Sequence, residues 1–259
     1  MRLGCGSVPA FVVAVILAGL VCDPAAAESR RSGFDDMSPG TQAMQRDDTA
    51  NPGMLFVAEG EAAWQAPAGP SGRSCASCHG PGERMRGVAA AYPAFDAQSG
   101  APVDLQGRIA LCRTRHQGAD PLPREGKALL ALEAYVAHQS RGLPLRPVDD
   151  PRLMSARDEG EALWCRRQGQ LDLSCAACHD DNAGRKLGAS LIPQGHPTGY
   201  PVYRLEWQAL GSLQRRLRNC MIGVRAEPYT YGDAAFVALE LYMRGRAAGM
   251  LIETPAVRP

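Results

Sequence analysis

The chain contains the same structural unit twice. Residues 59–64 (EGEAAW) align with residues 159–164 (EGEALW) at an offset of one hundred positions. At the same offset, the motif Cys75-x-x-Cys78-His79 aligns with Cys175-x-x-Cys178-His179. An internal repeat of this length is one supersecondary unit that occurs twice, so both copies are expected to fold alike. No other feature of the sequence constrains the fold as strongly.

The register of the repeat changes further along each copy. Leu105, Arg108 and Cys112 align with Leu213, Arg216 and Cys220 at an offset of 108 positions. The second copy is therefore expected to carry a loop insertion between its motif and its downstream cysteine. After each cysteine, apolar residues recur with helical spacing at 128–136 and at 234–242. Both segments are predicted to form amphipathic helices.

The N-terminus indicates export. Residues 1–27 resemble a secretory signal peptide, with Arg2 as a short basic start, an apolar stretch at 10–21 and small residues at 25–27. The apolar stretch is too short to span a bilayer, so no membrane span is expected. A lipid anchor on Cys22 is disfavoured because bulky Val21 stands where lipoprotein cleavage needs a small residue. The expected location is the periplasm.

The cysteines of the mature chain need an explanation in that compartment. Free thiols are uncommon in an oxidising space unless they are paired, ligated or catalytic. The formal net charge of +1 indicates neither nucleic acid nor a membrane surface as a partner. Seven cysteines remain after removal of the signal peptide, namely Cys75, Cys78, Cys112, Cys165, Cys175, Cys178 and Cys220.

The histidine after each Cys-x-x-Cys pair decides among several chemistries. A bare pair could be half of a zinc site, an iron–sulfur ligand pair or a redox-active dithiol. In Cys-x-x-Cys-His, the two thiols form thioethers with the haem vinyl groups and the imidazole ligates the iron. The sequence therefore predicts two covalent haem c groups, with His79 and His179 as their proximal ligands.

The sixth ligand of each iron is predicted from the repeat. Conventional candidates exist, but none recurs in register: Met85, Met154, Met221, His116 and His196. The position that does recur is a cysteine, Cys112 in the first copy and Cys220 in the second, and these are the predicted distal ligands. A thiolate stabilises ferric iron and lowers the reduction potential. A disulfide between the two, or of either with Cys165, is the alternative.

The predicted architecture is all-α, with two tandem cytochrome c-like domains. Few β-branched runs occur, and short helices separated by Gly and Pro loops fit the sequence best. The Pro-rich stretch at 142–151 separates the copies, giving a first domain at residues 52–150 and a second at 151–259. Residues 28–51 are polar with little periodicity and are predicted to form an extended arm or a contact with a partner.

Three stretches resemble the SoxA family, the diheme subunits of the SoxAX cytochromes of bacterial thiosulfate oxidation. The resemblance covers nearly the whole mature chain. The stretches are residues 166–179 (RRQGQLDLSCAACH), 200–204 (YPVYR) and 213–220 (LQRRLRNC). They are much more specific than the haem motif alone.

The resemblance implies an activity, partners and roles. The family activity is L-cysteine S-thiosulfotransferase, which joins thiosulfate to a cysteine of the carrier SoxYZ while two electrons leave through haem to the smaller subunit SoxX. Cys220 corresponds to the persulfide-bearing catalytic cysteine and haem ligand, and Cys112 to the other axial thiolate. Arg216 corresponds to a substrate-binding arginine. One helical turn separates Arg216 from Cys220, which agrees with that role because residues four apart share a face.

Two other functions remain open on sequence alone. A thiosulfate dehydrogenase would join two thiosulfates to tetrathionate with the same type of ligation. A non-enzymatic diheme electron carrier would make Cys220 and Arg216 incidental to sulfur chemistry, although a carrier would be expected to use Met or His as distal ligands.

Overall fold

The computed structural model describes residues 29–259. The predicted signal peptide, residues 1–27, lies outside this part of the chain. Among the described residues, no helix is both long enough and apolar enough to cross a membrane.

The first copy is made of four helices and one hairpin. Its helices are α2 (Gly53–Gln65), α3 (Cys75–His79), α4 (Leu105–Cys112) and α5 (Lys127–His138), and α4 continues as a π-helical turn over Arg113–Gln117. Strands β1 (Ala94–Asp96) and β2 (Ala101–Val103) pair antiparallel just before α4. Asp104 begins α4 because its carboxylate accepts a hydrogen bond from the backbone N–H of Gly107 at 2.7 Å.

The second copy repeats this order. Its helices are α6 (Met154–Cys165), α7 (Cys175–His179), α8 (Leu213–Gly223) and α9 (Ala234–Arg246). The insertion predicted from the change of register contains a short hairpin of β3 (Lys186–Leu187) and β4 (Ser190–Leu191). Strands β5 (Val202–Arg204) and β6 (Ala209–Gly211) pair antiparallel, and the C-terminal strand β7 (Ala256–Arg258) pairs parallel to β5.

A pair of crossed helices forms the centre of each copy, α2 with α5 and α6 with α9. A glycine allows each crossing. A Cβ at Gly60 would lie 2.0 Å from the carbonyl oxygen of Ala131, and a Cβ at Gly160 would lie 2.1 Å from that of Ala238. No side chain fits at such distances, so the glycine of the repeated Glu-Gly-Glu sequence is needed for close backbone packing.

The two copies share core rather than standing apart. Tyr203 and Leu210, from the β5–β6 hairpin of the second copy, belong to the apolar core formed by α2 and α5 of the first. In the opposite direction, the buried Arg244 of α9 donates to the carbonyl oxygen of Pro93, next to β1, at 2.7 Å. Residues 29–259 are mainly helical but also contain seven short strands, so the prediction of an all-α fold is confirmed only in part. The β5–β6 hairpin contributes apolar side chains to the core of the first copy, which the prediction of a purely helical fold does not provide.

The segment predicted as an extended arm or partner contact packs against the C-terminal strand of the same chain. It contains helix α1 (Pro39–Arg46), which begins at Ser38, whose hydroxyl accepts from the backbone N–H of Thr41. The side chain of buried Gln45 accepts from the backbone N–H of Val257 at 3.1 Å, and that of buried Asn51 donates to the carbonyl of Pro255 at 2.9 Å. The segment is thus held by polar side chains at the C-terminus, and contacts of this kind leave no periodic pattern in the sequence.

Candidate functional site

Each haem-binding motif forms a single helical turn with the same N-terminal cap. Ser74 precedes α3, and its hydroxyl accepts from the backbone N–H of Ser77 at 3.0 Å. Ser174 precedes α7 and accepts from Ala177 at the same distance. One turn of helix places the two thiols and the histidine on one side of the chain, which is the arrangement that covalent haem attachment requires.

A tryptophan from the repeat packs against each histidine. The ring centroids of Trp64 and His79 are 5.6 Å apart with an interplanar angle of 35°, and those of Trp164 and His179 have the same two values. Trp64 and Trp164 occupy the same position of the repeat, although the spacing alone assigns them no function. In the structure they fix the plane of each imidazole.

The hydrogen bond of His179 leaves one ring nitrogen free for iron. Its Nδ1 lies 2.6 Å from the carbonyl oxygen of Pro193. A carbonyl only accepts, so Nδ1 carries the proton and Nε2 keeps its lone pair for a metal. This tautomer fits a haem ligand. No ring hydrogen bond of His79 is found among residues 29–259.

Cys220 lies in α8 opposite His179. Burial acts to raise the pKa of its thiol, but the hydrogen-bonding contact with His179 and the positive charges of Arg216 and Arg204 outweigh burial and lower that pKa. Proximity to Cys220 also adds to the effect of burial on Cys175, whose pKa is raised to about 11. The structure thus brings together the motif of α7 and the predicted distal cysteine, as an iron held between His179 and Cys220 would need.

Cys112 takes the same place in the first copy with a different charge environment. The charge of Cys112 adds to the raised pKa of Cys75, and the charge of Cys78 adds to the raised pKa of Cys112. Burial raises the pKa of Cys112 more than Arg108 and Arg115 lower it. The donor set therefore fits a haem in this copy also. None of the seven cysteines in residues 29–259 forms a disulfide, and Cys165 is exposed at the end of α6.

Arg108 and Arg216 are one turn before the two distal cysteines, but only one of them is neutralised. Arg108 forms an ion pair with Asp96 at 2.8 Å and donates to the hydroxyl of Tyr92. Arg115 binds the same carboxylate with two hydrogen bonds of 2.9 Å. For the guanidinium of Arg216, by contrast, no hydrogen bond or ion pair is found within residues 29–259.

The reason for this difference lies in the hairpin before each helix. Asp96 ends β1, and the residue that ends β5 in the same register is Arg204. A carboxylate beside the first cysteine is thus replaced by a guanidinium beside the second. One terminal nitrogen of Arg204 binds Glu206 at 2.6 Å, while its Nε is buried without a hydrogen-bond partner in the described chain. Extending the offset of 108 back to the hairpin would have revealed this exchange.

Comparison with known proteins agrees with these features. The sequence profile of the SoxA/TsdA cytochrome c domain matches residues 59–145 and 159–252. The chain is 38% identical over 230 residues to the L-cysteine S-thiosulfotransferase subunit SoxA of Pseudaminobacter salicylatoxidans, covering 88% of this chain and 80% of that protein. It is 38% identical over 229 residues to the SoxA subunit of Rhodovulum sulfidophilum, with the same coverage.

A solved structure is similar over most of the chain. The crystal structure of SoxXA from P. pantotrophus superposes with a TM-score of 0.86 at 33% identity, covering 89% of this chain and 87% of the other. With both copies matched by one profile and with relatives at this level of identity, the chain belongs to the SoxA/TsdA cytochrome c family.

Proposed function

We propose that the chain is a diheme L-cysteine S-thiosulfotransferase subunit that attaches thiosulfate to a cysteine of a carrier protein, with haem as electron acceptor. In this proposal Cys75 and Cys78 hold the first haem, and Cys175 and Cys178 the second. The axial pairs are His79 with Cys112 and His179 with Cys220. Cys220 is also the catalytic residue, and Arg216 binds substrate.

The observation that carries the proposal is the unpaired positive charge beside Cys220. Arg216 has no partner in the described chain, and Arg204 replaces the carboxylate that neutralises Arg108 in the first copy. Thiosulfate is a dianion with three sulfonate oxygens and one terminal sulfur. A guanidinium can bind two such oxygens at once, and the terminal sulfur would then point towards Cys220.

The overall reaction fixes what the residues must do. A carrier thiol (Cys–SH) and thiosulfate give a carrier Cys–S–S–SO₃⁻ adduct, one proton and two electrons; the new bond joins the carrier sulfur to the terminal sulfur of thiosulfate. The haems supply the route by which the two electrons leave. Arg216 orients the anion and offsets the repulsion between substrate and the Cys220 sulfur, while Arg204 adds to the same positive field. His179 donates its Nδ1 proton to the carbonyl of Pro193, which holds the imidazole in a fixed orientation with Nε2 free.

Partners and location are part of the same proposal. The solved relative is a SoxXA complex, which supports a SoxX-type cytochrome c subunit as electron acceptor. The carrier would be SoxYZ, and the predicted signal peptide supports the periplasm. The predicted domains at 52–150 and 151–259 are kept as functional units, each with one haem, although their hairpins contact each other's helices.

Two measurements test the haem assignment directly. Intact-protein mass of the mature chain, expressed with cytochrome c maturation, should show two covalent haems. Electron paramagnetic resonance should show two low-spin ferric centres with histidine and thiolate ligands. One haem per chain, or histidine and methionine signals at either centre, would contradict the assignment.

The reaction itself is tested with purified carrier. The protein with its cytochrome partner should add about 112 Da, the mass of S₂O₃, to the SoxYZ cysteine. Tetrathionate formation without carrier would instead indicate a thiosulfate dehydrogenase. Haem reduction with neither product would indicate an electron carrier.

A further inference from the structure

The residue that follows the proximal histidine of the second copy belongs to a charged network. The indole Nε1 of Trp164 donates to Oδ2 of Asp180 at 2.7 Å. The other oxygen of Asp180 forms an ion pair with Arg246 at the end of α9. Because the Trp164 ring packs on His179, the carboxylate, the indole and the imidazole form one connected unit.

Arg246 is held in this place by several contacts. Its guanidinium carbon lies 4.6 Å from the ring centroid of Trp164 and 5.8 Å from that of Tyr242. A terminal nitrogen also donates to the carbonyl of Gln194 at 3.4 Å, and its Nε is buried without a hydrogen-bond partner in the described chain. The backbone carbonyl of Arg246 accepts from Arg30 at 3.2 Å. A cation stacked on an indole and bound to a carboxylate is well oriented.

The first copy keeps the aromatic part of this unit and lacks both charges. Trp64 packs on His79 and Tyr135 as Trp164 packs on His179 and Tyr242. The counterpart of Asp180 is Gly80, whose carbonyl accepts the indole N–H of Trp64 at 3.0 Å.

The counterpart of Arg246 differs in the same way. It is Gln139, whose amide donates to the carbonyl of Tyr135 at 3.2 Å. The side chain of the exposed Arg84 lies beside Gly80, where solvent screens it. The carboxylate and its cation are therefore present together in one copy and absent together in the other.

We propose that Asp180 and Arg246 are positioning residues for the second haem, which through Trp164 and His179 set its reduction potential apart from that of the first. The proposal rests on the proposed function, because it requires a haem on His179. The charges beside the two distal cysteines already differ, and this pair adds a second difference on the side of the proximal histidine. A carboxylate next to the proximal ligand favours ferric iron, and the bound guanidinium offsets that effect.

The opposite charges of the pair give the test a sign. Redox titration of the holoprotein, following each haem by its own spectrum, is performed at pH 8 with Asp180→Asn and with Arg246→Gln, the residue found in the first copy. At that pH the neighbouring His196 is neutral, since burial first, and Arg246 next, lower its pKa. We expect Asp180→Asn to raise the potential of the second haem, and Arg246→Gln to lower it.

Each change should alter the ratio of reduced to oxidised second haem at a fixed potential by about tenfold, or about 59 mV for one electron. The double variant should return close to the wild-type value. Arg246→Lys keeps the charge, so its second-haem potential should lie close to that of the wild type. This variant shows whether the shift in Arg246→Gln comes from loss of charge or from misfolding. Arg152→Gln removes another arginine that is bound to an aspartate, Asp150, and should change the reduction potential of neither haem.

The outcomes separate the two proposals. Shifts of both single variants in the same direction, or unchanged potentials in a protein that carries two haems by mass, would overturn the role of this pair. Absence of a haem on Cys175 and Cys178 in the wild-type protein would overturn the proposed function instead.

Discussion

The two copies agree in the geometry around each histidine and differ in the charges around each distal cysteine. Trp64 and Trp164 pack on their histidines at the same distance and angle. Beside Cys112, however, Asp96 is shared by two arginines, while beside Cys220 the equivalent position is Arg204. A duplicated haem fold can thus hold one copy as an electron site and develop the other for an anionic substrate by exchanging charges on a single strand.

The pKa values of the two thiols follow the same contrast. In the first copy, burial raises the pKa of Cys112, and Asp96 adds to that effect. In the second, burial is outweighed by His179, Arg216 and Arg204, and the pKa of Cys220 is lowered. Lower thiol pKa means more thiolate at a given pH, which favours both ligation and sulfur chemistry. If this contrast separates the functions of the copies, equivalent positions in the two copies should respond differently to substitution.

The largest effect on thiosulfate attachment is expected from removing the distal cysteine of the second copy. Cys220→Ala should reduce thiosulfate attachment to the carrier by on the order of a thousandfold or more, because ligand and sulfur acceptor are lost together. Cys112→Met, at the equivalent cysteine of the first copy, should leave attachment measurable while shifting the spectrum of the first haem. Haem content by mass is the control for both. Equal losses in the two variants would contradict a division of roles.

The second comparison is between the two arginines that precede the cysteines. Arg216→Gln should lower kcat/KM for thiosulfate by roughly ten- to a hundredfold, since one charge-assisted contact is worth about 1.5 to 3 kcal/mol. Arg108→Gln should change kcat/KM little, because Arg108 is already bound to Asp96. Steady-state assays with carrier in excess measure both. A loss in Arg108→Gln as large as that in Arg216→Gln would count against the anion site.

The third test concerns the exchanged strand position. Arg204→Gln should raise KM for thiosulfate by roughly three- to tenfold with a smaller effect on kcat, because the charge acts on the anion over a distance. Arg204→Lys should restore most of the affinity. Raising the salt concentration should narrow the difference from wild type. A kcat effect without a KM effect, insensitive to salt, would assign Arg204 a purely structural role.

The smallest effect concerns two glutamates that the duplication brings together. Glu133 of α5 and Glu240 of α9 both line a cavity of about 90 Å³ between the copies. Gln106 donates to Glu133 at 2.7 Å, while Asp104, Glu125 and Arg124 are the nearby charges. Burial raises the pKa of Glu133 to about 8 and raises that of Glu240 well above its usual value.

The sign of the pH effect follows from these raised values. The folded protein holds a proton on Glu133 more tightly than the unfolded chain, whose pKa is near 4.5. Its contribution to the free energy of unfolding is therefore full below pH 4.5 and decreases as pH rises towards about 8. Glu133→Gln should make this loss of unfolding free energy between low and high pH smaller by on the order of 1 kcal/mol. That value allows for solvent screening of a side chain that is half-buried.

Urea unfolding of the holoprotein at pH 5 and pH 8 measures this change. Glu61→Gln, at an exposed position of α2, is the matched control and should leave the slope unaltered. If the wild-type protein is equally stable at both pH values, the interface does not bind the proton.

Much of the site was predictable because its signals are local or repeat in register. Two thiols and a histidine within five residues predict covalent haem, and the recurrence of Cys112 and Cys220 identified the candidate distal ligands, which the structure places beside their motifs. The loop insertion followed from the change of offset and contains the β3–β4 hairpin. The packing of the N-terminal segment was not predictable in this way, because the side chains of Gln45 and Asn51 bind Val257 of β7 and the preceding Pro255, about two hundred residues away.

The sequence by itself therefore determined the duplication, the two haem motifs and the family, since each is written in residue spacing. Only the tertiary structure decided which charges are neutralised and that the β5–β6 hairpin of the second copy enters the core of the first. Asp96 reaches Arg108 and Arg115 through the fold of the hairpin, and Asp180 meets Arg246 across 66 positions of sequence. Charge effects depend on distance and burial rather than on order along the chain, so the unpaired arginine beside Cys220 becomes visible only after folding.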